Sequence, residues 1–160
     1  MQRIGIAIAA LVTAAVPAAL FADPGFDPAG GFSTVSYATP WDQQSEIVSA
    51  EITPIEGDRY AVSLMTTLPA TDTSGGCGGG IEGEITLSGR MATLIVVNED
   101  FDASIPENPV NARQCQVDME WTGSTSDDAF TLELTEQGGC MYHHGASCGF
   151  SGVLHYTAAG

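Results

Sequence analysis

The stretches "CQVDMEW" (115–121) and "AFTLELTE" (129–136) sort their side chains with a period of two. In the first, Val117, Met119 and Trp121 alternate with Gln116, Asp118 and Glu120. In the second, Phe130, Leu132 and Leu134 alternate with Thr131, Glu133 and Thr135. Successive side chains of an extended chain point to opposite faces, so this alternation gives each strand one face for a core and one for water.

The same signature recurs on both sides of these runs. "FSTVSYA" (32–38) is the first β-patterned run, followed by "EIVSAEIT" (46–53) and "RYAVSLMTT" (59–67). The last two are separated by Pro54 and "EGD" (56–58), a connection that predicts a hairpin. "IEGEITLSG" (81–89) puts Ile81, Gly83, Ile85 and Leu87 on one face and Glu82, Glu84 and Thr86 on the other. "RMATLIVV" (90–97) is apolar at almost every position, which predicts a central strand covered on both faces. "SGVLHYT" (151–157) ends the series. Beyond the N-terminal run, no stretch sustains a period of 3.6. About eight short strands with hairpin-length connections predict an all-β fold, an antiparallel β-sandwich or small β-barrel.

The N-terminus, "MQRIGIAIAALVTAAVPAALFADP", has one arginine, an apolar middle and a small residue at Ala22. It reads as a cleaved signal peptide, residues 1–22, rather than an anchor. The apolar run is interrupted by Pro17 and lacks basic residues after it. Residues 23–31, "DPGFDPAGG", have the Pro and Gly content of a flexible start, and 32–160 form a single domain. A periplasmic or secreted location follows from the leader.

Export governs the four cysteines, Cys77, Cys115, Cys140 and Cys148. An even number in an oxidising compartment predicts two disulfides. The local pairing Cys140–Cys148, with Cys77–Cys115, is favoured among the three possible. The loop "CMYHHGASC" would then be a pinched projection displaying Tyr142, His143 and His144 as a binding loop. A zinc site from Cys140, His143 and Cys148, with His144 or His155, is the competing reading. It is disfavoured by thiol oxidation and by a ligand spacing unusual for zinc.

The chain carries 20 acidic and 4 basic side chains and no lysine, for a formal charge of −16. Loss of Arg3 with the leader leaves 3 basic residues against 20 acidic ones, a net −17. Nucleic-acid binding is excluded in practice, because phosphate neutralisation needs Lys and Arg. A cationic protein is the partner such a surface suits.

Other candidate sites are weaker. The run "TSGGCGGGIEG" (73–83) has no GK[ST] and no basic residue, so it suits close backbone passage around Cys77 rather than phosphate binding. Asn98, Asp100, Asp102 and Ser104 alternate in an acidic loop, a weak Ca²⁺ candidate. The pattern departs from an EF-hand at Ala103 and Pro109. No G-x-S-x-G or comparable catalytic motif is present, and no catalytic residue is assigned.

The expectation is therefore a small exported acidic binding module rather than an enzyme. A Ca²⁺-binding or structural envelope protein and an uncharacterised hydrolase are the alternatives. The general plan (exported, small, β, disulfide-linked) is similar to that of periplasmic lysozyme inhibitors. Ser88-Gly89-Arg90 is the one fragment that hints at their Ser-Gly-containing loop, a turn too common to identify a family, and no motif of those families carries over residue by residue. The resemblance implies inhibition of a cationic wall-degrading enzyme such as lysozyme.

Overall fold

In the computed structural model, which describes residues 25–34, 46–72, 75–126 and 129–157, eight antiparallel strands form one sheet. They are β1 (Gly30–Ser33), β2 (Ile47–Glu56), β3 (Arg59–Leu68), β4 (Cys77–Thr86), β5 (Met91–Val97), β6 (Gln114–Thr122), β7 (Thr131–Gly138) and β8 (Gly152–Thr157). Their order across the sheet is β4-β3-β2-β1-β8-β7-β6-β5. The sheet curls into a nearly closed barrel in which β4 and β5, consecutive in the chain, are its two ends. The all-β expectation holds, with the barrel rather than the sandwich realised.

The alternation read from the sequence fills the interior. Val117, Met119, Trp121, Phe130, Leu132 and Leu134 are all buried, with Ile52, Leu64, Leu94 and Leu154 facing them from other strands. Aromatic rings close one part of the core, with Phe32 edge-on to Phe130 at 5.2 Å and to Tyr156 at 5.5 Å. Edge-to-face geometry suits the ring quadrupoles and adds about 0.5–1.5 kcal/mol per pair beyond area burial. The expected β2–β3 hairpin is present, with Glu56 opposite Arg59 and Gly57 at φ 62° in the turn. A positive φ there suits glycine, which has no Cβ to clash.

Three expectations are revised. First, β5 is an end strand, not a central one. Ala92 and Leu94 face the core, but Met91, Ile95 and Val97 are 55%, 50% and 68% exposed. Apolar residues on both faces imply burial on both only where a second layer covers the sheet, and no described element lies outside β5. Second, the glycine run is already strand at Cys77–Gly80. Third, the start is ordered earlier than Phe32. Phe26 packs edge-on to Trp121 and Phe130, and β1 takes in Gly30 and Gly31. The leader and residues 35–45 lie outside the described residues.

All four cysteines are oxidised, but the pairing is Cys77–Cys148 and Cys115–Cys140, not the favoured Cys140–Cys148. The β6–β7 register explains the difference. Gln116 stands opposite Gly138, so the chain leaving β7 turns through Gly139 and brings Cys140 back onto Cys115. Cys148 is then carried across to β4. Two disulfides accord with an oxidising compartment, and among the described residues no helix is long and apolar enough to cross a membrane.

Digestion of the unreduced protein should yield peptides joining Cys77 to Cys148 and Cys115 to Cys140, and none joining Cys140 to Cys148. The bridges span 71 and 25 residues. Replacing either pair by serine should cost about 3–4 kcal/mol in urea unfolding, through the freed entropy of the denatured chain.

Candidate functional site: the β4–β5 seam and its strap

The phase of the hydrogen bonds shows what the two end strands leave unused. Trp121 N–H donates to Arg90 O at 2.9 Å, and Asn98 N–H donates to Arg113 O at 3.0 Å. With Met91 opposite Glu120, these bonds fix the alternation: Ala92, Leu94 and Val96 turn their backbone groups to β6. Thr93, Ile95 and Val97 turn theirs away, toward β4. On the other side, Leu87 N–H donates to Asp58 O at 2.9 Å, which puts Ile81, Gly83 and Ile85 in bonded pairs with β3. Gly80, Glu82, Glu84 and Thr86 therefore face β5.

The two edges face one another without pairing. Ser88 and Met91 exchange two backbone bonds, at 2.8 and 3.2 Å, across a tight turn with Gly89 at φ 67°. Beyond that bridge no ladder joins them. Side chains fill the inner side of the gap. Leu94 lies over Gly83, where an added Cβ would meet Leu94 Cδ1 at 2.8 Å.

Two grooves run along the outer side of this seam. One, of about 790 Å³, is lined by Glu84, Ile85, Thr86, Met91, Thr93, Ile95 and Asp118, among others. The other, of about 450 Å³, lies further along, with Met65, Gly80, Ile81, Glu82, Val96 and His143 in its lining. Thr93 Oγ1 donates to Asp118 Oδ1 at 2.8 Å, and Glu84 pairs with Arg59 at the exposed rim. The seam thus has apolar and β-branched residues along its length and carboxylates on both sides.

The far end of the seam is held by the segment 139–149. A short 3₁₀ turn, Cys140–Tyr142, starts it on β6 through Cys115, and Cys148 ends it on β4 through Cys77. Midway, His143 O accepts from Gly80 N–H at 3.0 Å. Gly79 makes this approach possible, because any Cβ there would collide with the His143 carbonyl. The close backbone passage expected of the glycine run is realised at this position.

Asn98 locks the strap from below. Its Nδ2 donates to Ala112 O and Gly139 O, both at 2.8 Å, which leaves Oδ1 as an acceptor. His143 Nε2 stands 2.7 Å from that oxygen and is therefore the protonated ring nitrogen. Burial pushes the His143 pKa below its ordinary value, and the neighbouring His144 pushes it the same way. His144 is 9% exposed, with Nδ1 2.8 Å from Gly145 O and Nε2 3.1 Å from Glu136 Oε2.

The expected binding loop is therefore divided. Tyr142 and Met141 face solvent, at 39% and 37% exposure, while His143 and His144 turn inward and brace the strap. The zinc alternative loses both thiols to disulfides. The proposed Ca²⁺ donors differ in their surroundings. Asn98 is buried and fully engaged, and Asp102 accepts from Ser104 N–H at 2.8 Å. Asp100 and Ser104 are exposed. Among the described residues no group of three His, Cys, Asp or Glu side chains is placed to hold a metal ion. Ser88-Gly89-Arg90 forms the β4–β5 turn, and Arg90 lies over the Phe26 ring at 4.5 Å while bonding Gly123 O. The seam itself escaped sequence reading. Its only signal was an apolar run at 91–97 beside strands that alternate cleanly.

Compared with family models, curated proteins and solved structures, the chain matches none.

Asn98→Ala should destabilise the fold by about 2–4 kcal/mol, since it orphans two carbonyls and the His143 ring N–H together. The His143 pKa lies below its ordinary 6.5, so protonation favours the unfolded chain. The stability from the neutral ring is complete above that pH and is lost as pH falls through the folded-state value. The stability difference between wild type and His143→Gln, measured by urea melts, should shrink as pH is lowered from neutral.

Proposed function

We propose that this domain is an exported, non-enzymatic binding module for a cationic protein. The observation that carries the reading is how the charge is distributed. The three arginines beyond the leader are all engaged by the chain itself. Arg59 pairs with Glu84, Arg113 with Glu107, and Arg90 packs on Phe26. Meanwhile Glu51, Glu56, Asp58, Glu82, Glu99, Asp100, Glu120 and Glu133 stand exposed on the outward faces of strands and turns. The field of such a surface is uncompensated, and it speeds encounter with a basic partner more than it sets final affinity.

A basic wall-degrading enzyme such as lysozyme is the specific partner this reading favours. It rests on the exported character implied by the leader and on the chain's small, disulfide-linked β plan. The periplasm or the secreted fraction is the matching location.

The immobilised domain should retain lysozyme at low ionic strength and release it as salt rises, because exposed charge pairs are screened within about 10 Å at 0.1 M. Cytochrome c, basic but not wall-degrading, is the control. Retention of both supports a general cationic-partner module, and selective retention with loss of wall lysis supports the inhibitor. If neither protein is retained at low salt, the reading fails.

A further inference from the structure

We infer that the free edge of β5 is a docking site for an extended segment of the partner, which adds to the sheet as a strand along the β4–β5 seam. The inference rests on the cationic-partner reading and specifies how that partner is held. Thr93, Ile95 and Val97 present their backbone N–H and C=O groups to the seam, where β4 lies alongside without forming a hydrogen-bonded ladder with β5. Such a row is a template for another chain.

Proteins ordinarily block a free edge with lysine, proline, a bulge or a covering segment. The β4 edge is guarded in this way, by the strap at Gly80 and by Glu82 and Glu84. The β5 edge is not. It has no proline, its register with β6 is unbroken, and it exposes Ile95 and Val97. The groove beside it holds about 790 Å³, with Ile85 and Ala92 among its lining residues.

Charge chooses the occupant. Asp118 borders this groove on one side and Glu84 on the other, with Glu82 further along. A second copy of the chain would bring like carboxylates together at a surface already strongly negative. A segment alternating Arg or Lys with β-branched residues instead puts its cations on the outer face, between Glu84 and Asp118, and its apolar side chains on the opposite face, toward Ile85. The Arg59–Glu84 pair is exposed on both sides, so Glu84 can exchange partners at little cost.

The probe is a synthetic peptide of alternating Arg and Val, with hydrogen exchange and chemical shifts read by NMR on the disulfide-intact domain. Binding should slow exchange at the amides of Thr93, Ile95 and Val97. Ile95→Pro removes one edge donor without touching a β5–β6 bond, and should weaken the peptide about tenfold, whereas Ile95→Thr should not. Should Ile95→Pro unfold the domain, N-methylation along one edge of the peptide tests the same bonds on wild-type protein and should weaken binding about tenfold.

Peptide binding that is indifferent to proline and to N-methylation overturns strand addition and leaves the cationic-partner reading standing. So does retention of a cationic protein by a domain that ignores the peptide. Protection of the same amides that grows with protein concentration alone assigns the edge to a second copy and overturns the inference. Failure of both peptide and basic proteins to bind removes the cationic-partner reading as well.

Discussion

The structure depends on how an incompletely closed sheet is held shut. Full closure of a barrel removes both edges, because every strand then has two neighbours. In this chain β4 and β5 are hydrogen-bonded to one another only at the Ser88–Met91 bridge and share no ladder beyond it. The gap is sealed inside by Leu94 against Gly83, and at the far end by the 139–149 strap. The two disulfides are the strap's anchors, one on each side of the gap. Without them the barrel's ends would be joined by little more than one turn and apolar contact.

This arrangement explains why glycines and histidines cluster where they do. Backbone must pass against backbone at Gly79, and the chain must reverse sharply at Gly139, whose φ is 74°. His143 and His144 then fill the polar space that the strap creates. Their partners, Asn98 and Glu136, come from the end of β5 and from β7. A loop that looks in sequence like an exposed recognition motif is therefore largely a structural clasp. Glu46 adds to the same clasp, accepting from Thr66 Oγ1 at 2.7 Å and from Gly149 N–H at 2.6 Å.

The hairpin of β2 and β3 and the inward faces of β4, β6 and β7 were legible because those runs alternate polar and apolar residues, a local property. Leu132 and Leu134 needed nothing beyond their own neighbours to be placed. The disulfide pairing was not legible, because proximity in sequence favoured Cys140–Cys148 while the β6–β7 register brings Cys140 to Cys115. That register depends on the connection 123–130 between β6 and β7, which no short turn pattern fixes. Likewise, the run 91–97 states that both faces of β5 are apolar, but not whether anything covers the outer one. Burial is a property of neighbours, and the sequence of a strand does not name them.

Charge and edge belong to one argument. An exposed, apolar, unbranched-by-bulge edge such as Thr93–Val97 invites pairing between copies, and this chain contains no lysine to block it. A formal charge of −16 opposes such pairing by long-range repulsion instead. That protection is selective by sign: it repels another copy of the same chain and attracts a basic one. An edge guarded by local cations would be closed to every partner, whereas an edge guarded by a distributed negative field is closed only to acidic ones. The absence of lysine and the open flank of β5 therefore reinforce each other, and the proposed partner is the kind of chain that this combination admits.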